Sequence, residues 1–344
     1  MRFLLRLILF FLFINNHLYA AEALKDKDSQ IERFRQILKY GNSQQVRETL
    51  VKLTRLSTDE QKSLLPELKE LTQSRDAQIQ RRLVEAIGSF SFSDLDEHLA
   101  VALGHPSDDV FFAACAAIEK KKPPSASMKI IEKIKEADFT QAGNKIADLL
   151  RSLAAYQTSD LDSFLMEKLR DKNTYPDYRN QILRYFAVTK SKHPELPTVV
   201  KELSESEEES LTLRSYAVYA AGELGYRNLK DLLLQILMKI DNITDSDEKK
   251  KHARLRLQLI SALIKLEAEN IDKLLFEMAR DDDETVRLRA IRQLSQFPRE
   301  NVKELLRFKA SYDTSPRVQK EAQKILEKME KGQKEESLAN VDPE

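Results

Sequence analysis

Residues Ser210 to Leu237 read SLTLRSYAVYAAGELGYRNLKDLLLQIL, and the period of their apolar residues decides the fold. Leu213, Ala217 and Ala221 recur at i, i+4 and i+8, the spacing of one helix face. Gly225 interrupts the series, and a second face follows in Leu229, Leu232, Leu233 and Ile236. The stretch therefore predicts a helical hairpin. Neither helix can bury its stripe alone, so a hairpin of this kind needs a neighbour of the same kind.

The same first-helix pattern returns nine times, starting at Val46, Ile79, Val110, Ile146, Tyr178, Leu213, Ala253, Val286 and Val318. The separations are 33, 31, 36, 32, 35, 40, 33 and 32 residues, and every i+4 partner is apolar. A near-constant period in this range is the mark of a stacked array. Second helices follow in their own pattern: Asp94-Leu95 with Leu99, Asp160-Leu161 with Leu165, Asn228-Leu229 with Leu233, Asn270-Ile271 with Leu275, and Asn301-Val302 with Leu306. Ser93, Ser159 and the later asparagines stand where a capping side chain would. Pro66 and Pro123-Pro124 make the second helices after Val46 and Val110 less regular. The step from Leu213 to Ala253 is the longest, and its extra residues, 241–252, are strongly charged.

Val286-Arg287 with Ala290 and Leu294 after Asp281-Asp282-Asp283, and Leu213-Arg214 with Ala217 and Ala221-Gly222-Glu223-Leu224-Gly225, resemble HEAT repeats of the short bacterial type. The resemblance spans Gln44 to Lys328. It implies an all-α, right-handed solenoid of about nine hairpins whose second helices line a concave face, and it implies binding more often than catalysis. The domain reading is accordingly a leader at 1–20, a lead and capping helix at 21–41, the solenoid at 42–330, and a disordered polar tail at 331–344.

Composition agrees with a helical chain: seven Gly, ten Pro and no Trp in 344 residues leave too few turn residues for a strand-rich fold. The leader combines Arg2 and Arg6 with the apolar run Leu7 to Ile14 and small residues at Ala20, Ala21 and Ala23. That is the form of a secretory signal peptide. The run falls short of the ~20 apolar residues a bilayer span needs. Cleavage after Ala20 is favoured over Ala23, which predicts a soluble protein of the periplasm or the exterior of a bacterium, with no stable membrane anchor. No cysteine follows the run to carry a lipid. Loss of residues 1–20 leaves 54 basic against 56 acidic residues, so no overall charge draws nucleic acid. The single cysteine, Cys115, lies in an apolar run and reads as a core residue.

No catalytic, metal or cofactor motif is present, and neither a cofactor nor catalysis is expected. The histidines are scattered, no pair of cysteines exists, and no glycine-rich loop opens a helix. His98 occupies a slot held by Phe164, Leu232, Leu274 and Leu305 in other second helices, which favours a packed, hydrogen-bonded histidine. The acids Glu205, Glu207, Glu208 and Glu209, like Asp281 to Asp283, precede first helices and complement their positive ends. Arg47, Arg179, Arg214, Arg254 and Arg287 each follow an anchor, and in HEAT-like chains such arginines pair with turn acids of neighbouring repeats.

One feature exceeds what packing demands. On the second helices, Met166, Leu234 and Phe276 hold equivalent positions, with Met238 one turn beyond Leu234. They form a candidate apolar strip for a protein partner's helix or extended peptide. A wide buried arc is the competing explanation, and Lys201 would interrupt the strip. The expected function is a non-catalytic protein-binding scaffold with partners in the cell envelope or outside the cell. The alternatives are a cofactor- or substrate-handling enzyme similar to the bilin lyases that carry HEAT-like repeats and, against the leader and the charge, a nucleic-acid binder similar to HEAT-like DNA glycosylases.

Overall fold

The computed structural model describes residues 29–339 apart from 144, 268–270 and 298. The expected leader, the lead through residue 28, Asn270 and residues 340–344 lie outside the described residues. All regular structure among the described residues is helical, and the chain forms an all-α solenoid of stacked hairpins in two compact units.

The first unit, up to Asp138 and from Gly143 to Thr158, holds α1 (29–40), α2 (Ser43–Leu53), α3 (Thr58–Ser63), α4 (Leu65–Leu71), α5 (Ala77–Ile87), α6 (Asp96–Ala102), α7 (Asp108–Lys121), α8 (Pro124–Glu136) and α9 (Lys145–Ala154). Here α2, α5, α7 and α9 pack in succession as first helices, and α4, α6 and α8 lie along them as second helices. Asn42 and Gln45 form a reciprocal cap on α2, while Asp76 caps α5, so each helix starts where its orphan N–H groups find an acceptor. Pro66 sits in the first turn of α4, where a missing N–H costs nothing. Cys115 is fully buried on α7, and burial pushes its thiol up to about 12.

The second unit takes the segment Phe139–Ala142 and everything from Ser159 onward. Its helices are α10 (Asp162–Arg170), α11 (Pro176–Thr189), α12 (Leu196–Glu205), α13 (Leu211–Leu224), α14 (Lys230–Asp241), α15 (Ser246–Lys251), α16 (Ala253–Lys265), α17 (Ile271–Met278), α18 (Glu284–Leu294), α19 (Glu300–Tyr312) and α20 (Pro316–Ala339). First helices α11, α13, α16, α18 and α20 stack in that order, with α10, α12, α14, α17 and α19 as second helices. The polar tail expected from Lys331 is instead helical to Ala339. Its Lys, Glu, Gln and Ala residues are strong helix formers, and α20 continues through them.

Eight of the nine anchors are buried as the period requires. The exception is Ala253, half-exposed together with Leu257, because α16 buries Leu255, Leu259 and Leu263 instead. Two overlapping i, i+4 series compete there, and the one that begins with leucine removes more apolar area from water. The extra residues form α15, which runs into α16 through His252 alone. With Leu255 as anchor, other repeat positions fall into line. Twelve residues beyond an anchor the chain turns left-handed, at Lys122, Lys190, Gly225 and Glu267, with φ of 53°, 53°, 71° and 57°. Glycine opposes alanine at two helix crossings: a Cβ on Gly88 would lie 2.7 Å from Ala117 Cβ, and one on Gly222 would lie 2.8 Å from Ala262 Cα.

The starts of the second helices correct one expectation. Ser93 and Ser159 do not cap with their side chains; their carbonyls accept from the N–H of Asp96 and Asp162, and Leu95 and Leu161 occupy the cap position. A turn of backbone replaces the side-chain cap.

Candidate functional site

At Gln80, Arg179, Arg214, Arg256, Arg287 and Gln319 the residue after an anchor builds a ladder inside the stacked hairpins. In the second unit Arg179, Arg214 and Arg287 are all less than a tenth exposed. Arg179 donates from Nε to the Leu169 carbonyl at the end of α10, at 2.9 Å, and from both terminal nitrogens to Glu209, at 2.9 and 2.8 Å. Arg287 donates to the carbonyls of Asp281 and Asp282 and in two bonds to Asp313, at 3.0 and 2.9 Å. Gln80 and Gln319 fill the same position and donate to carbonyls at the ends of α4 and α19. The ladder thus satisfies carbonyls that a helix end leaves open. Arg256 is its member on α16, paired with Asp241; Arg254 lies outside and rests on the Tyr216 ring, 5.3 Å from its centroid. Of the arginines that follow anchors, Arg179 and Arg287 thus pair with acids at the approach to the next first helix, as the resemblance implies.

Arg214 departs from the pattern. Its Nε donates to the Ser204 carbonyl at 3.2 Å, as Arg179 does to Leu169, yet among the described residues no carboxylate pairs with it. Burial pushes its guanidinium below the ordinary value, opposed only by the charge of Glu207. At Arg287 the bonds it donates to Asp313 raise it instead.

Arg214 borders a groove of about 640 Å³ between α14, α15 and the approach to α13. Leu232, Ile236, Ile240 and Ile243 give it an apolar wall. Glu205, Glu207, Glu209 and Glu248 also line it, with Lys239 and His252. A second groove, of about 510 Å³, runs between α16, α17 and α18 beside Arg254, Arg289 and Arg292. Arg292 there is tied to Glu321.

The residues expected to form a strip occupy different environments. Met166 is buried, at 3% exposure, and belongs to the core of its hairpin. Leu234 and Phe276 are half-buried, and Met238 is 64% exposed. Packing thus accounts for Met166 and does not account for Met238. Between α10 and α14 stands α12 with the exposed Lys201, so the strip is interrupted where the sequence suggested. Sequence reasoning missed a neighbouring pair: Phe308 and Tyr312 on α19, 55% and 73% exposed, with ring centroids 5.5 Å apart. Their i, i+4 spacing was visible, but it lies off the repeat's equivalent positions.

The groups considered for chemistry have structural partners. His98 Nε2 shares a hydrogen bond of 2.8 Å with Gln80 Oε1, and burial lowers its pKa, with a smaller effect from His105. It is a packed, hydrogen-bonded histidine. Glu209 serves Arg179, and Asp283 caps α18 through the Thr285 N–H. Asp162 is buried at the start of α10; burial raises its carboxyl, and Ser191 donates to it. His193 lies two residues from Ser191, but its Nδ1 accepts from the Glu195 N–H and it does not engage the Ser191 hydroxyl as a base. Among the described residues no cluster of three His, Cys, Asp or Glu could hold a metal, and no helix is long and apolar enough to cross a membrane.

No family model matches the chain, and no curated protein matches it. Among solved structures it is similar to a mutant of Kap121p, at 13% identity and a TM-score of 0.41, over 86% of this chain and 36% of that one. It is also similar to Kap121p bound to Pho4p, at 13% identity, a TM-score of 0.37, and 86% and 39% coverage. An engineered protein is similar at 17% identity and a TM-score of 0.34, over 88% of this chain and 96% of its own. The chain spans about a third of the length of Kap121p.

Proposed function

We propose that this chain is a non-catalytic protein-binding scaffold that acts outside the cytoplasm, through the second helices of its second unit. The observation that supports binding is Met238, a large apolar side chain left 64% exposed beside the half-buried Leu234 on a helix whose packed arc is already complete. Phe276 on α17 and the Phe308–Tyr312 pair on α19 add uncovered apolar surface on the following second helices. A partner's amphipathic helix or extended segment would remove that surface from water. Export rests on the sequence of the leader, with Arg2 and Arg6 ahead of the Leu7 to Ile14 run.

Capture tests the proposal directly. Cross-linking and pull-down from an envelope fraction should retain a defined partner with the wild-type chain and lose it with Leu234→Glu/Met238→Glu, at unchanged helix content by circular dichroism. Capture that survives both substitutions would remove α14 from the interface. Cell fractionation and mass determination of the mature N-terminus test export, with a chain beginning at Ala21 expected in the periplasm or the medium.

A further inference from the structure

At the two bidentate steps of the ladder, Arg179 and Arg287, the acid comes from the approach to the next first helix, whereas Arg256 takes its acid, Asp241, from the end of α14 before it. Glu209 immediately precedes Ser210, the cap of α13, and answers Arg179 one repeat back; Asp313 precedes α20 and answers Arg287. For Arg214 the next first helix is α16, anchored at Leu255. The residues standing as far before Leu255 as Glu209 stands before Leu213, and Asp313 before Val318, are Lys251 and Lys250. Both already have partners, Lys250 in Asp247 and Lys251 in Glu248. The one acid at the end of α14, Asp241, is taken by Arg256. The α15 insertion has thus exchanged the acid of the repeat for cations and opened the 640 Å³ groove at the same place.

The consequence is a guanidinium at 8% exposure, held in position through Nε by the Ser204 carbonyl, bordering an apolar-walled groove. At Arg179 and Arg287 a guanidinium so placed receives a carboxylate in two bonds, the planar geometry for which arginine is suited. We propose that Arg214 is a carboxylate-recognition residue: a partner's extended segment lies in this groove with an Asp or Glu side chain paired to Arg214 and a neighbouring apolar side chain against Leu232, Ile236 and Ile240. It rests on the protein-binding function proposed above and names the chemistry of the partner. The segment takes the place that Glu209 and Asp313 fill at the other steps. The groove is also lined by Glu205, Glu207, Glu248 and the Arg179-paired Glu209 against Lys239 and His252, so it repels a segment of uniform negative charge. A single acid flanked by lysine or arginine meets both requirements.

The test uses two blocked peptides, acetyl-Lys-Glu-Ser-Leu-Lys-amide, built on the chain's own Glu-Ser-Leu at 209–211, and its counterpart with Gln for Glu. Binding to the full chain is followed by fluorescence anisotropy of labelled peptides. The Glu peptide should bind about tenfold more tightly than the Gln peptide, the ratio of one charge-assisted pair. In Arg214→Gln that ratio should fall to one, while the fold persists because Gln80 and Gln319 already serve this position. Leu232→Glu, which puts a carboxylate on the groove wall, should abolish binding of the Glu peptide and serves if Arg214→Gln does not fold. Equal affinities for the two peptides, no binding of either, a preference that survives Arg214→Gln, or binding that survives Leu232→Glu would each overturn the assignment. Envelope capture lost with Leu234→Glu/Met238→Glu while the peptides bind alike would sink Arg214 and leave the scaffold standing. Discrimination by Arg214 with capture unaffected would do the reverse.

Discussion

The step at Arg287 and the step at Arg214 begin from the same residue type at the same distance from an anchor, and they end in opposite electrostatic states. Arg287 is enclosed by two carbonyls and a bidentate carboxylate, and Asp313 receives Lys309 and the Ser315 N–H as well. Arg214 keeps a single carbonyl. A buried charge with all its partners is expensive to disturb, whereas one with few partners is cheap to replace and free to meet something else. Repetition of sequence therefore does not mean repetition of role, and the difference traces to the insertion that carries the six-residue α15.

The largest expected effect comes from breaking the complete step. Arg287→Ala strips Asp313 of its main partner and should cost about 3 kcal/mol or more in denaturant unfolding. Next is the acid side of the same step. Burial alone would raise the Asp313 carboxyl, but the bonds from Arg287, Ser315 and Lys309 outweigh it and hold it at about 2, below the ordinary 3.8. A folded-state value below the unfolded one means that protonation favours the unfolded chain. The contribution, about 2 kcal/mol, is whole above pH ~4 and drains as the pH falls toward 2. Acid unfolding should lose that component in Asp313→Asn.

A smaller effect sharpens the contrast. Arg179→Gln removes a bidentate pair whose acid can be resolvated and should cost about 1–2 kcal/mol, while Arg214→Gln should stay within about 0.5 kcal/mol of the wild type. Equal costs would show that Arg214 has a partner as strong as Glu209. The smallest effect checks that equivalent repeat positions act alike: α7 ends at Lys122 in the left-handed region that α13 fills with Gly225. Lys122→Gly should therefore stabilise the chain by about 1 kcal/mol in thermal or denaturant unfolding.

Much of the fold was legible because burial enforces a period. Val46, Ile79, Val110, Ile146, Tyr178, Leu213, Val286 and Val318 all point inward as the pattern requires. The pattern failed at Ala253 because Ala253/Leu257 and Leu255/Leu259 satisfy the same rule, and only packing against α13 and α18 chooses between them. The long step of 40 residues was the visible sign that something there had changed. Gly225 announced a break between the helices, and the chain turns left-handed there; Lys122, Lys190 and Glu267 adopt the same turn without any sequence signal. The candidate site was less legible. An acid near an arginine in the repeat suggests a pair, but the lack of one at Arg214 shows only after Leu255, not Ala253, fixes the numbering of the repeat. Met166 and Met238 look alike in sequence; the first is enclosed and the second is not.

The buried thiol on α7 has a practical use. Cys115 is the chain's only sulfhydryl, and its raised pKa and full enclosure keep it protonated and out of reach of alkylating reagents while the protein is folded. A single cysteine engineered beside Met238 or on the Arg214 groove could carry a fluorophore, spin label or photocross-linker without removing the native one. The native sulfur would then report any unfolding, since it becomes modifiable only when its unit opens.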